Sequence, residues 1–147
     1  IGEHGIVDPN NAPGLYIAPK TNELMVIMNT YDKIREEVKI DNVPLNKWVN
    51  VIIKCKNEVL EVYINGTVAR SLNMMGVPKQ NYGDVYCAMN GGFDGYISNL
   101  WYYNYSISIA EIQYIVARGP STKLIGKSNG GGLSDKSSDY LAMRWYF

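Results

Sequence analysis

The sequence has 147 residues, a length that fits one domain with a core of ordinary size. Its 14 lysines and arginines balance 14 aspartates and glutamates, and the basic residues are scattered along the chain. This balance argues against a nucleic-acid partner and against electrostatic attraction to a membrane surface.

The chain begins in a turn-rich stretch, and residues 1–12 are predicted to form a loop because Asp8-Pro9-Asn10-Asn11 favours turns. The sequence contains no recognisable signal peptide or transmembrane run. We interpret residues 1–12 as the loop of a truncated chain, so that a membrane anchor, if the protein has one, would precede Ile1.

Apolar periodicity predicts a series of strands before residue 106. Residues 24–28 form a continuous apolar run, which is typical of a strand buried on both faces. In the next long strand, Val51 and Ile53 share one side and Ile52 lies on the other. Asn65-Gly66 predicts a type I′ hairpin turn, since both residues tolerate positive φ. The predicted strands span residues 15–18, 24–28, 37–40, 48–54, 60–64, 67–72, 84–89 and 93–105.

The last predicted strand does not alternate cleanly between apolar and polar residues. A β-bulge near Ser98-Asn99 would bring its apolar side chains to one face. After this strand, Ser108 and Glu111 have the spacing of a capping box. They predict a short helix that ends at Gly119-Pro120.

The C-terminal part changes character after the predicted helix. Residues 128–134 have the Gly/Ser-rich composition of a flexible linker. They lead to residues 140–147, which are too apolar to remain in solvent. We expect this tail either to return to the domain as a strand or to contact a partner. The predicted partner-binding residues are Tyr140, Trp145, Tyr146 and Phe147.

Several motifs occur in an order that resembles one fold family. They are Pro13-Gly14-Leu15-Tyr16, Asn22-Glu23-Leu24, Trp48-Val49-Asn50-Val51, Val62-Tyr63-Ile64-Asn65-Gly66 and Gly95-Tyr96-Ile97-Ser98-Asn99-Leu100. Residues 13–120 resemble concanavalin A-like lectin/glucanase domains of the laminin G type. The resemblance implies an all-β jelly-roll β-sandwich of two antiparallel sheets, with one short helix near the C-terminus. Residues 121–147 would then be a linker and an aromatic tail.

The stretches at residues 40–48 and 90–95 are particularly similar to such domains in virion proteins of large DNA viruses. This resemblance implies a non-enzymatic structural or interaction domain located in a virion or capsid. It would contact other virion or surface proteins through its sheet face, rim loops and C-terminal tail. The alternative is a glycan-binding, lectin-like domain of a secreted or cell-surface protein.

Catalysis is not expected from the ionisable residues. Glucanase relatives of the fold need an E-x-D-x-x-E strand motif that projects two carboxylates from one face. The nearest pair, Glu58 and Glu61, has opposite parity and no intervening aspartate, so we interpret them as a turn residue and a solvated strand residue. His4 is the only histidine, which leaves no His-based triad or zinc site. We predict no enzyme activity and no required cofactor.

Aromatic side chains supply the candidate glycan-binding residues, because rings on a sheet face stack against sugars. Packing in the sandwich core explains the same residues as well. The candidates are Trp48, Trp101, Tyr102 and Tyr103.

Calcium is the one metal with candidate ligands, since related sandwich domains hold it at a rim through carboxylate and amide oxygens. Turn formation accounts equally well for Asp and Asn in the predicted loops. The candidate ligands are Asp8, Asn10, Asp84, Asn90 and Asp94. Two N-glycosylation sequons start at Asn65 and Asn104, and the hairpin turn alone explains Asn65.

The two cysteines, Cys55 and Cys87, each lie on the apolar side of a predicted strand. Two interpretations remain open from the sequence: a pair of buried free thiols, or one cross-strand disulfide bridge.

Overall fold

The computed structural model describes residues 11–88 and 92–121. Within these ranges the chain forms two three-stranded antiparallel sheets and one helix, with strand orders β1-β2-β3 and β4-β5-β6. The predicted all-β architecture with a short C-terminal helix is therefore confirmed. The elements are β1 (Gly14–Ile17), β2 (Glu23–Met28), β3 (Glu36–Asp41), β4 (Val51–Lys56), β5 (Val59–Ile64), β6 (Thr67–Asn73) and α1 (Ile109–Arg118).

Strand β2 is buried on both faces, as its continuous apolar run predicts. It lies in the centre of the first sheet, where Val26 pairs with Leu15 of β1 and with Val38 of β3. Leu24, Val26 and Met28 contribute to the main core, and Met25 and Ile27 on the opposite face are buried too.

The second sheet is built from two tight hairpins. Asn57 has φ 54° in the turn between β4 and β5. Asn65 and Gly66 have φ values of 50° and 81° between β5 and β6, which confirms the predicted hairpin turn. An added Cβ at position 66 would also lie 3.1 Å from Gln113 Nε2, so this side chain would have to shift slightly.

The main core lies where residues of both sheets meet. Its buried members are Leu24, Val26, Met28, Val38, Ile40, Leu60, Val62 and Met74. Val51, Ile53 and Cys55 pack against this cluster, whereas Ile52 packs against a second cluster. The predicted division of β4 into two faces is therefore confirmed.

Helix α1 packs on the other face of the second sheet and forms a third layer. Ile112 is fully buried with Ile107 and with Tyr63 of β5, and Ile115 packs against them. The predicted capping box is present, since Ser108 Oγ accepts from Glu111 N and Glu111 Oε2 accepts from Ser108 N at 2.7 Å. The helix ends at Gly119, with φ 68°.

The two predicted strands after β6 are not formed in the described residues. Residues 84–88 and 92–105 have no regular secondary structure and pair with no strand in the described ranges. The sequence pattern indicates a preference for extended backbone. A strand also needs a neighbouring strand to pair with its backbone hydrogen-bonding groups. Asn99 has φ 53°, so the chain turns near the predicted bulge without forming the strand.

Both cysteines are free thiols in this structure, and their predicted shared burial is wrong for one of them. Cys55 is half-buried against the main core, whereas Cys87 is exposed because the strand predicted around it is not formed. The described residues contain no helix that is long and apolar enough to span a bilayer.

Candidate functional site

The most unusual surface is the 82–105 segment, which we define as the described residues 82–88 and 92–105. No backbone–backbone hydrogen bond joins it to another described residue. Its large apolar side chains are nevertheless exposed. They are Tyr82, Val85, Tyr86, Phe93, Tyr96, Ile97, Leu100, Trp101, Tyr102, Tyr103 and Tyr105.

Three of these side chains form an aromatic row, which consists of Trp101, Tyr103 and Tyr105. Alternate residues of an extended chain lie on the same side. The ring centroids of Trp101 and Tyr103 are 6.4 Å apart with an interplanar angle of 69°. Those of Tyr103 and Tyr105 are 5.8 Å apart at 81°. Both contacts are edge-to-face, the arrangement that the quadrupoles of aromatic rings favour.

Helix α1 supports the aromatic row at both ends. The guanidinium carbon of Arg118 lies 4.9 Å from the ring centroid of Trp101, which is a cation–π contact. At the other end, the Tyr105 hydroxyl donates to Glu111 Oε1 at 2.9 Å. The segment therefore runs antiparallel to the helix, with Trp101 near its C-terminal end and Tyr105 near its first turn.

Two serines connect the segment to the end of the described chain. Ser121 N donates to Ser98 Oγ at 2.7 Å, and the Ser98 hydroxyl donates to Ser121 O at 3.4 Å. Beyond the aromatic row, these bonds hold the segment to the residues that follow α1.

Hydrogen bonds hold the carboxylate of Glu111 beside the row. The backbone N–H of Ser108, and then the hydroxyls of Ser108 and Tyr105, lower the pKa of Glu111. The bond to Glu111 raises the pKa of the Tyr105 phenol. At neutral pH the row consequently lies between a carboxylate and the guanidinium of Arg118.

The row remains accessible despite these contacts. Trp101, Tyr103 and Tyr105 are 40%, 36% and 55% exposed, respectively. Partly exposed rings beside an arginine are suited to bind an apolar or planar group of a partner, because they bury large area with little loss of side-chain freedom.

The structure separates the four predicted glycan-binding aromatics. Trp101 and Tyr103 lie together in the row. Tyr102 is 88% exposed and makes no ring contact with them. Trp48 is half-buried before β4 and takes no part in the row. Tyr105 is a member of the row that the sequence analysis does not include among the candidates. Its position two residues after Tyr103 would place both rings on the same side of an extended chain.

A second exposed apolar surface lies on the rim loops after β2 and β6. Tyr31, Ile34, Met75 and Val77 are its exposed members. Tyr31 N donates to Val77 O at 3.0 Å, which joins the two loops. The buried carboxylate of Glu36 accepts from Met75 N at 2.9 Å and so positions the second loop on the sandwich.

The described metal candidates do not converge. Asp84 and Asp94 are exposed, and the described ranges contain no group of three His, Cys, Asp or Glu residues that could hold a metal ion. Asp8, Asn10 and Asn90 lie outside the described residues, so a calcium site that includes them stays a prediction.

Both sequon asparagines are exposed. Asn65 Oδ1 accepts from Asn50 N at 2.9 Å, in agreement with its structural role at the hairpin. Glycosylation of Asn65 and Asn104 stays a prediction. The predicted partner-binding residues Tyr140, Trp145, Tyr146 and Phe147 lie outside the described residues.

The carboxylates tested for glucan hydrolysis have structural partners or lie in a turn. Glu58 lies in the exposed turn between β4 and β5. Glu61 Oε2 lies 3.0 Å from Lys54 Nζ and accepts from the Tyr63 hydroxyl at 3.0 Å. The bond from Lys54 lowers the pKa of Glu61, which is unsuitable for a general acid near neutral pH.

A comparison with protein families identifies the fold. A family model described as the concanavalin A-like lectin/glucanases superfamily matches residues 3–113. The chain belongs to this superfamily. The match extends through both sheets and into α1, and the two antiparallel sheets agree with the jelly-roll β-sandwich of a concanavalin A-like domain.

Among solved structures, this concanavalin A-like domain is similar to an S-layer domain-containing protein of Clostridium thermocellum, known from a 2.1 Å crystal structure of its residues 221–444. The sequences are 16% identical and the TM-score is 0.41. The match covers 65% of this chain and 52% of that chain, so this chain spans about half the length of that structure. No functionally curated protein matches this chain.

Proposed function

We propose that this concanavalin A-like domain is a non-enzymatic interaction domain that contacts other proteins through the aromatic row. The observation that carries the proposal is the exposure of the apolar side chains along the 82–105 segment. Ring contacts join Trp101, Tyr103 and Tyr105 into one exposed apolar patch, and exposed apolar patches mark binding surfaces.

The residue types of the row support a protein partner. Trp, Tyr and Arg are the side chains that dominate the energetics of protein interfaces. All three residue types meet on this surface, because the ring of Trp101 contacts both Tyr103 and Arg118. The apolar rim loops offer a second, separate contact surface.

The absence of catalysis is part of the proposal and is supported by the engagement of Glu61 with Lys54 and Tyr63. A virion or capsid location is supported by the sequence resemblance to virion domains of large DNA viruses. The predicted partners are accordingly other virion or surface proteins, and nucleic acid is not among them because the chain carries no net charge.

Site-specific photo-cross-linking tests the proposal. A benzoylphenylalanine at Tyr102, beside the row, should give a cross-link to a distinct protein in the native particle or surface fraction. The matched control replaces Leu45, which is exposed to 68% on the loop between β3 and β4. Equal products from both positions, or none from Tyr102, would overturn the proposed surface. Absence of the protein from purified particles would overturn the virion location.

Glycan binding is the second candidate, and the accessible ring pair of Trp101 and Tyr103 favours it. Sugar rings stack on exposed aromatics, and Arg118 would add a hydrogen-bond donor for hydroxyl or carboxylate groups. A glycan array run with calcium and with a chelator tests this candidate. Saturable glycan binding that is lost in Trp101→Ala would establish this candidate. If the unchanged domain binds glycans with calcium but not with the chelator, calcium takes part in binding.

A further inference from the structure

We propose that the aromatic row binds an extended acidic peptide of a partner protein, and that Arg118 holds a carboxylate of this peptide. The inference rests on the proposed function and deepens it, because it names the chemistry of the partner. Every second side chain of the peptide would face the row. An Asp or Glu of the peptide would lie beside Trp101, and apolar side chains would lie beside Tyr103 and Tyr105.

The first argument is the position of the Arg118 guanidinium. Its central carbon lies 4.9 Å from the ring centroid of Trp101, at the last turn of α1. A guanidinium over an aromatic ring keeps its N–H donors at the edge of its own plane. In that position two of the donors can bind both oxygens of a carboxylate, which is the strongest type of ion pair that arginine forms.

The second argument is a comparison of the described arginines. Arg35 Nε lies 2.9 Å from Glu37 Oε2, and an Arg70 guanidinium nitrogen lies 3.5 Å from Asp41 Oδ2. Arg118 forms no ion pair with a carboxylate of the described chain. It therefore offers a positive charge beside an exposed apolar surface, which favours an anionic group on the partner.

The carboxylate at the other end of the row differs from Arg118, because its oxygens already have partners. Glu111 Oε1 accepts from the Tyr105 hydroxyl at 2.9 Å. Glu111 Oε2 accepts from the backbone N–H and the hydroxyl of Ser108 at 2.7 Å and 2.8 Å. These bonds occupy most of the acceptor positions of the carboxylate, and its charge also interacts with the N-terminus of α1. The charge complementarity of the row is consequently decided at the Arg118 end.

The third argument is the spacing of the rings, which matches a polypeptide. The centroids of neighbouring rings in the row are 6.4 Å and 5.8 Å apart. Side chains on one face of an extended peptide repeat every second residue, or about 6.7 Å. A peptide alongside the row can therefore place successive side chains of one face against successive rings. This match assigns the surface to a peptide with an acidic residue at one position and apolar residues two and four positions away.

Selection from a phage-displayed library of random peptides tests the inference on the full 147-residue chain. Peptides selected by the unaltered protein should be enriched in this pattern of one acidic and two apolar residues. Peptides selected by Arg118→Gln should keep the apolar residues and lose the acidic one. Equal acidic enrichment with the two proteins, or no enrichment of any peptide, would overturn the proposal.

The Kd of a selected peptide gives the quantitative test. Arg118→Gln should weaken binding by about tenfold or more, because it removes hydrogen bonds to a charged group. Arg118→Lys keeps the positive charge at the end of α1 but lacks the planar fork, so it should recover only part of the affinity. The matched control Arg70→Gln removes an exposed arginine outside the row and should leave the Kd unchanged. Equal Kd values for Arg118→Gln and Arg70→Gln would overturn the assignment.

Two altered peptides test the predicted pairing and alternation. Replacing the acidic residue by its amide should weaken binding to the unaltered protein about as much as Arg118→Gln does. The same replacement should have little further effect on binding to Arg118→Gln, because the two changes remove one interaction. Moving the acidic residue by one position transfers it to the other face of an extended peptide and should weaken binding equally. Unchanged affinity after this move would contradict the extended binding mode.

The glycan array and the cross-link from Tyr102 separate this inference from the proposed function. Array binding of an acidic glycan that Arg118→Gln abolishes, without selection of peptides, would assign Arg118 to a glycan and overturn the peptide. A protein cross-linked at Tyr102 through a segment without Asp or Glu would leave the proposed function intact and overturn this inference. Selection of the acidic pattern without a cross-link from Tyr102 would support the peptide chemistry and overturn the proposed function.

Discussion

The sandwich strands and the 82–105 segment are built from similar residues but have different surroundings. Leu60 of β5 is fully buried, whereas Leu100 is 65% exposed. Tyr63 is 4% exposed, whereas Tyr102 is 88% exposed. The comparison shows that side-chain type sets a preference for extended backbone, while burial depends on a neighbouring strand and a covering layer.

The difference follows from chain connectivity. Strand β5 obtains both of its neighbours through the two-residue turns at Asn57 and Asn65, so its pairing is local. Among the described residues, no comparable hairpin supplies the 82–105 segment with a neighbouring strand. Its apolar side chains consequently stay exposed there.

The largest expected effect comes from truncating matched leucines in the two regions. Leu60→Ala should lower the free energy of unfolding by about 2–5 kcal/mol, because it removes buried area and leaves a cavity in the main core. Leu100→Ala should change it by less than about 0.5 kcal/mol. Urea unfolding at neutral pH measures both. If both variants lose a similar free energy of unfolding, Leu100 is buried, and the contrast between the sandwich and the 82–105 segment is wrong.

The two free cysteines give the next largest contrast. Cys87 lies in the exposed segment, whereas burial raises the pKa of the Cys55 thiol above its usual value of 9.0. We expect Cys87 to react with a thiol reagent at least about tenfold faster, because it is exposed whereas burial disfavours the thiolate of Cys55. Single Cys→Ser variants assign the two rates, and both thiols should react alike in denaturant. A faster Cys55 would contradict the account.

One glycine from each region tests the role of turn geometry: Gly66 lies in the hairpin between β5 and β6, and Gly83 lies in the 82–105 segment. Gly66→Ala should cost about 1–2 kcal/mol, since alanine is strained at φ 81° and its Cβ would crowd Gln113 and Val116. Gly83→Ala is the matched control, because its Cβ would meet only Asn81 Oδ1 at 3.5 Å. Urea midpoints of the two variants check this prediction, and an equal cost would contradict the assigned hairpin.

The smallest expected effect is the acid sensitivity contributed by Glu111. Its pKa is lowered from the usual 4.5 in the folded state, so its contribution to stability is complete above the unfolded pKa. That contribution is lost as pH falls through the lower, folded-state pKa. Glu111→Gln should therefore make the decline of the urea midpoint below pH 4.5 shallower. The exposed Glu58→Gln is the control, and an identical profile for the two variants would contradict the assignment.

Local signals in the sequence predict the parts of the fold that depend on neighbouring residues. Asn65-Gly66 specifies its hairpin, Ser108 and Glu111 specify the start of α1, and residues 24–28 specify a doubly buried strand. Each of these features is decided within a few positions of the chain.

The remaining features depend on contacts between distant residues. The exposure of Cys87 follows from the missing partner of its predicted strand, which periodicity cannot reveal. In the aromatic row, the contact between Trp101 and Arg118 requires the segment to return along α1. Glu111 has a recognisable capping role, but its second bond, to Tyr105, is visible only in the folded arrangement.

The most direct test of the proposed binding surface is the affinity of the protein identified by the Tyr102 cross-link for two variants of the domain. The account predicts that Trp101→Ala with Tyr103→Ala weakens binding by about 30-fold or more, as expected when aromatic anchors are removed from an interface. Leu45→Ala, which truncates an equally apolar exposed side chain outside the row, should leave the Kd unchanged. Equal Kd values for the two variants would contradict the assignment of the aromatic row as the binding surface.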